Sequence, residues 1–419
     1  MATAAPAPPR AARSAEAPLD PTRAHAPALD GLRAVAALFV ITLHVGIYSG
    51  QVASSWLGIG EGGTLGPFIS RLTVGVPIFF VLSGLLLFRP WAEAALDRRP
   101  GPSTVVYLWH RALRILPAYW LAAITALLLF GTAAATGFWP VVRTLGLLHI
   151  YEENAIPLGI TQTWSLATEV AFYALLPLIA LGLRRVLVRA GGAWLAFAAL
   201  EAVSLVAIVL THRAAAGPYP LAHLWLPEYL GLFGAGIALA IASARLARRP
   251  ERPAVVEAVT RRPWLAWLVA AAAYALMSTS LTGTTAAYPT IAQALLEHAL
   301  SLVVAVGLVL PLVLAPGRGP SGVLSRRPAH ALGRISYGLF LWHMVVVEGW
   351  LELTGGTAGT ERIEVLWPIA VAGSIVLATA SFVLVERPLR RFRPLAARLR
   401  GKAEALPPVD APVVVEVRA

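Results

Sequence analysis

The chain has 419 residues, 58% of them hydrophobic and only 13% charged, with a mean hydropathy of +0.70. So little charge excludes an ordinary soluble domain, and the absence of cysteine excludes disulfides, thiolate metal sites and a cysteine acyl-enzyme. The net charge of +12 raises nucleic acid as a partner, an option the positions of the cations remove.

Residues 1–28 are rich in Ala and Pro and read as a disordered cytoplasmic tail without a signal-peptide core. Residues 29–393 form one apolar domain, and residues 394–419 read as a second cytoplasmic tail. Ten stretches are long enough to cross the hydrocarbon core. They run over 32–48, 73–88, 115–132, 164–183, 193–211, 229–244, 264–281, 291–314, 335–351 and 366–385. The apolar segment 138–150 is short, carries Arg143 and reads as interfacial or re-entrant. With both termini inside, all but four of the 34 cations (Arg71, Arg143, Arg213 and Arg362) fall on the cytoplasmic side. Topology thus accounts for the basic excess. The expected fold is an all-α integral membrane bundle of about ten helices. No internal repeat of transporter type is evident.

Ionisable groups inside a span are costly, which makes each a functional candidate. The first span begins Leu29-Asp30-Gly31-Leu32-Arg33, with Asp30 expected as N-cap, and reaches His44. Eleven residues of helix put Arg33 and His44 on one face, roughly 16 Å apart along the axis. His44 can serve as a general base, or it can be a packing histidine bonded to a neighbouring helix. Ser83-Gly84 lies in the second span. Gly84 suits close helix packing, and Ser83 is a weak nucleophile but a mid-depth donor. Arg111-Ala112-Leu113-Arg114 places two guanidiniums on one side of the third span at its cytoplasmic mouth. Such forks suit phosphate oxygens, although flanking arginines are also ordinary topology signals.

The fourth span opens on Trp164-Ser165, with Glu169 on the face of Ser165. By helical rise Glu169 lies about 7 Å below the outer edge, at a depth that allows a pair with His44. His343 in the ninth span is read as a structural histidine that can line the same cavity. Glu386-Arg387-Pro388 closes the tenth span in a scaffold role. Glu201, Glu297 and His298 are further buried ionisable groups without an assigned role.

Several of these residues in order resemble the bacterial acyltransferase family 3 of multi-pass membrane proteins. The marks are Arg33 and His44, Phe79-Phe80-Val81-Leu82-Ser83-Gly84, Arg111-x-x-Arg114, Thr163-Trp164-Ser165-Leu166 with Glu169, Ile335-Ser336-Tyr337-Gly338 with His343, and Glu386-Arg387-Pro388. The resemblance covers roughly residues 28–393. It implies an enzyme of the cell (inner) membrane that moves acyl groups, most often acetyl from acetyl-CoA, onto hydroxyls of carbohydrate or glycosylated acceptors. It further implies that Arg33, Arg111 and Arg114 bind the acyl-CoA co-substrate and that His44 sits at the reacting centre. No permanently bound cofactor or metal is expected. Some members carry a fused extracellular hydrolase-like domain. This sequence lacks one, so a stand-alone enzyme or a separate extracytoplasmic partner is expected.

On this reading His44, helped by Glu169, deprotonates the acceptor hydroxyl for direct attack, or else relays the acyl group itself. The alternative is a transporter or flippase of a lipid-linked sugar, with His44 and Glu169 as proton-coupling groups.

Overall fold

The computed structural model describes residues 27–395, apart from 55–56, 61, 132–136, 153–155, 214–219, 252 and 285–286. The two predicted tails lie outside the described residues, except for a few at their inner edges. Within those residues every extended element is a helix, and the one β-type pairing is an isolated bridge between Ser54 and Ile59. Ten long helices form the bundle. They are α1 (Pro27–Tyr48), α2 (Gly75–Leu96), α3 (Thr104–Phe130), α4 (Trp164–Leu187), α5 (Gly192–Thr211), α6 (Leu226–Leu246), α7 (Trp264–Met277), α8 (Ile291–Leu314), α9 (Ser336–Thr354) and α10 (Ile363–Ser381).

These helices stand where the ten spans were expected. Eight stretches of helix are long and apolar enough to cross a membrane, which makes this a membrane protein. The other two are α7, which has 14 residues, and α9, whose hydropathy is lowered by His343, Glu348 and Glu352. The segment expected to lie at the interface forms the short helix Phe138–Leu145, with Phe138 and Trp139 exposed. It is tied to α3 by Tyr119, which donates to the Thr144 carbonyl, and by Trp120, which donates to the Leu145 carbonyl at 2.9 Å.

Bonds between helix ends define two opposite ends of the bundle. At the arginine-rich end, Arg248 after α6 meets Asp97 after α2 at 2.6 Å. Arg245 of α6 donates to the Leu187 carbonyl of α4 at 2.5 Å. Trp109 near the start of α3 donates to the Phe392 carbonyl after α10 at 3.0 Å. Between α10 and that carbonyl lies one π-helical turn, Phe382–Glu386, and short helical turns continue past Pro388. At the other end, Arg71 just before α2 pairs with Glu297 of α8 at 3.1 Å.

Helix α1 is held at both ends. A Cβ on Gly31 would lie 2.3 Å from the Leu324 carbonyl oxygen, and one on Gly333 would lie 2.1 Å from that of Asp30. At its far end the Gly359 N–H donates to the Tyr48 carbonyl at 2.8 Å, and the Tyr48 hydroxyl donates to Glu348. Asp30 is not the N-cap that the sequence suggests. The helix starts at Pro27, which puts Asp30 in the first turn with its carboxylate 3.2 Å from Nδ1 of His330.

Helices α2 and α6 cross with their backbones in close approach. A Cβ on Gly84 would fall 2.2 Å from the Phe233 carbonyl oxygen, and one on Gly236 2.1 Å from that of Val81. Small residues let the two backbones touch, as expected for Gly84. Beside this crossing, Phe233 stacks between Phe80 and Phe172, with ring centroids 4.5 and 3.9 Å away.

Candidate active site

Helical periodicity sets Arg33 and His44 on one face of α1, and the packing around α1 gives each its own surroundings. His44 Nδ1 lies 2.8 Å from the Val40 carbonyl oxygen one turn back. A carbonyl only accepts, so the ring proton sits on Nδ1 and Nε2 carries the lone pair. The same logic fixes His343, whose Nδ1 is 2.8 Å from the Phe340 carbonyl oxygen. His343 Nε2 therefore presents a lone pair to His44 Nδ1 at 3.4 Å, with the ring centroids 5.0 Å apart. His343, read from the sequence as a structural histidine, backs the ring of His44, and the cavity described next is lined by His44 and not by His343.

His44 also lines a cavity of about 480 Å³, together with Trp164, Ser165, Gln162 and Phe340. The loops at the end opposite the arginines close around this space. Three sequence candidates, His44, Trp164 and Ser165, thus meet in one place. Ser165 is bonded to the Gln162 carbonyl at 3.2 Å.

Glu169 does not pair with His44. Its carboxylate accepts hydrogen bonds from the hydroxyls of Ser83 and, at 2.5 Å, Tyr173. The reason is the place where α4 begins. Gln162, 1% exposed, donates to the carbonyls of Phe340 and Leu341 at 3.1 and 2.9 Å. That buried turn starts α4 inside the bundle rather than at its edge, so Glu169 reaches deeper than helical rise from the surface implies.

There it meets the arginines. Arg33 lies within electrostatic range of Arg114, Tyr173 and Glu169. Arg111 is similarly close to Tyr107 and Tyr173, and Arg114 to Glu386. Tyr337 of α9 closes the group by donating to the Ile115 carbonyl at 2.8 Å. The structure therefore gathers Arg33, Arg111 and Arg114 from two helices into one neighbourhood with Glu169, Glu386, Tyr107 and Tyr173. A cluster of this kind suits an anionic group with several oxygens.

The sequence did not single out Gln162, Tyr107 or Tyr173. The two tyrosines carried a signal, since each is four residues from a chosen candidate and so shares its helix face. The ionisable groups without a role are paired: Glu297 with Arg71 at 3.1 Å and Glu201 with His298 at 3.0 Å.

The sequence model of a family described as an acyltransferase domain matches residues 27–387. Acyltransferase MdmB of Streptomyces mycarofaciens is 30% identical over 384 residues, 86% of this chain and 88% of that protein. Nodulation protein 10 of Rhizobium leguminosarum bv. viciae is 27% identical over 366 residues, 81% of this chain and 89% of that protein. Peptidoglycan O-acetyltransferase OatA of Listeria monocytogenes serovar 1/2a is 23% identical over 396 residues, 88% of this chain and 56% of that protein. No solved structure matches.

Proposed function

Since the chain belongs to acyltransferase family 3 and is a membrane acyltransferase, we propose that it moves an acyl group, acetyl above all, from acyl-CoA to a carbohydrate hydroxyl. The name of the Listeria relative, a peptidoglycan O-acetyltransferase, supports both the acetyl group and the glycan acceptor. The positive-inside rule supports a cytosolic arginine-rich end and residence in the cytoplasmic membrane.

The observation that carries this reading is the division of α1. One end joins the arginine cluster, and the other brings an unprotonated His44 Nε2 to the cavity. Phosphates of the donor rest on Arg33, Arg111 and Arg114, and its pantetheine arm runs along the helix. The acceptor hydroxyl gives its proton to His44 Nε2 while its oxygen attacks the thioester carbonyl. The carbon–sulfur bond breaks, and the CoA thiolate recovers the proton from the imidazolium. His44 Nδ1–H stays on the Val40 carbonyl, and the lone pair of His343 Nε2 beside it stabilises the ring while it is charged. Glu169 belongs to the donor side and sets the arginines.

The test is CoA release from acetyl-CoA by the purified chain in membrane vesicles, with donor binding measured separately. His44→Ala is expected to bind acetyl-CoA and to release CoA about 10²–10⁴-fold more slowly. Normal release by that variant overturns the assignment. Radiolabelled acyl group trapped on His44 without an acceptor would replace direct attack by a relay.

A further inference from the structure

The cavity extends from His44 to a wall just past α5, at the start of α6 and in the loops before α6 and α8. This wall is formed by His212, His223, Glu228 and Tyr288. The His212 ring stacks flat on Tyr288, with centroids 4.6 Å apart at 7°, and His223 meets the same ring edge-on at 5.7 Å. Glu228, 9% exposed, accepts a hydrogen bond from the Thr211 hydroxyl at 2.8 Å.

The carboxyl groups around this space are unequally partnered. Glu297 has Arg71, and Glu201 has His298. Among the described residues no basic group pairs with Glu228, whose partner is the neutral Thr211. A buried carboxyl without a cation keeps its proton, and an occupant of the cavity that brings a positive charge lets it ionise and pair. The aromatic wall of Tyr229, Tyr288 and Trp164 adds faces that attract a cation and stack against a sugar ring.

We propose that this cavity is the acceptor site and that it selects a hydroxyl-bearing substrate with a protonated amine, such as an amino sugar. Its ammonium rests on Glu228 and its reacting hydroxyl faces His44. This rests on the acyl-transfer reading. The cavity supplies the second substrate from the end opposite the arginines.

Binding of three probes to the full chain in detergent tests the idea without a donor: methyl glucosaminide, methyl N-acetylglucosaminide and methyl glucoside. The free amine is expected to bind at least about tenfold tighter than the other two. Glu228→Gln, which keeps the bond from Thr211, is expected to bring all three to one affinity. Equal affinities in the unaltered chain overturn the proposal, and that comparison needs no variant. An amine preference that persists in Glu228→Gln overturns it as well. An amine preference in a chain that never releases CoA sustains the amine site and overturns the catalytic reading, so the two failures are distinct.

Discussion

His343 Nε2 stands 3.4 Å from His44 Nδ1, and main-chain carbonyls hold the proton of each ring on Nδ1. The Val40 carbonyl thus holds the ring proton of the base, and His343 backs the ring from the side with a second lone pair. Removing the base by His44→Ala is expected to lower turnover about 10²–10⁴-fold. His343→Ala leaves the base in place but loosens its ring, with an expected loss of up to about 10²-fold in kcat. The KM for acyl-CoA should be unchanged in both. A His343 variant with full kcat would show that the second ring is packing alone.

The arginine cluster predicts the opposite split. Arg111→Ala combined with Arg114→Ala removes charged hydrogen bonds of about 1.5–3 kcal/mol each, enough to raise the acyl-CoA KM at least tenfold. Glu169→Gln should also act on donor KM, because its bonds are to Ser83 and Tyr173 on that side. Its kcat at saturating donor is expected to fall by less than the roughly 10²-fold that marks loss of a base. A kcat loss equal to that of His44→Ala, with KM intact, would instead make Glu169 part of the proton chemistry.

Gly84→Ala should destabilise the bundle by about 1–3 kcal/mol, since the new methyl has only backbone to displace. Its ideal position is 2.2 Å from the Phe233 carbonyl oxygen. Gly182→Ala is the control, because nothing lies within 4 Å of its Cβ position. Melting in detergent should lower the transition of the first variant and not that of the second.

His149, fully buried in the loop between α3 and α4, supplies a pH dependence. Burial pushes its pKa from the usual 6.5 down to about 4, against a weaker opposing contribution from the Thr163 backbone. The unfolded chain therefore binds the proton first as pH falls. Stability is full above about pH 6.5 and is expected to decline between 6.5 and 4, by about 3 kcal/mol at most. His149→Gln should flatten that decline in a melting series across this range. An unchanged slope would place the acid sensitivity elsewhere.

The ten helices were legible because each needs a long apolar run, and the loop arginines report their alternation. Even α9, with three ionisable side chains, stands where its pattern put it. The grouping of the site was less legible. Depth was counted from the membrane edge, and nothing in the residues around Gln162 reveals that its amide caps carbonyls of α9 inside the bundle. That one buried turn moves Glu169 from His44 to the arginines. The start of α1 three residues before Asp30 was hidden for a similar reason, since Gly333 and Leu324 press on the first turn from distant sequence. The cavity wall of His212, His223 and Tyr288 lies just past a helix end and in the loops between helices, where periodicity carries no signal.

The anchoring of α1 has a consequence for donor choice. Gly31 is clamped against Leu324, and Tyr48 is tied to Gly359 and Glu348, so the helix can neither slide nor tilt without breaking contacts at both termini. On the proposed reading the enzyme gauges its donor by reach. A thioester on a shortened carrier would arrive out of register with His44 whatever acyl group it bore, so selection among carriers would precede any selection among acyl chains.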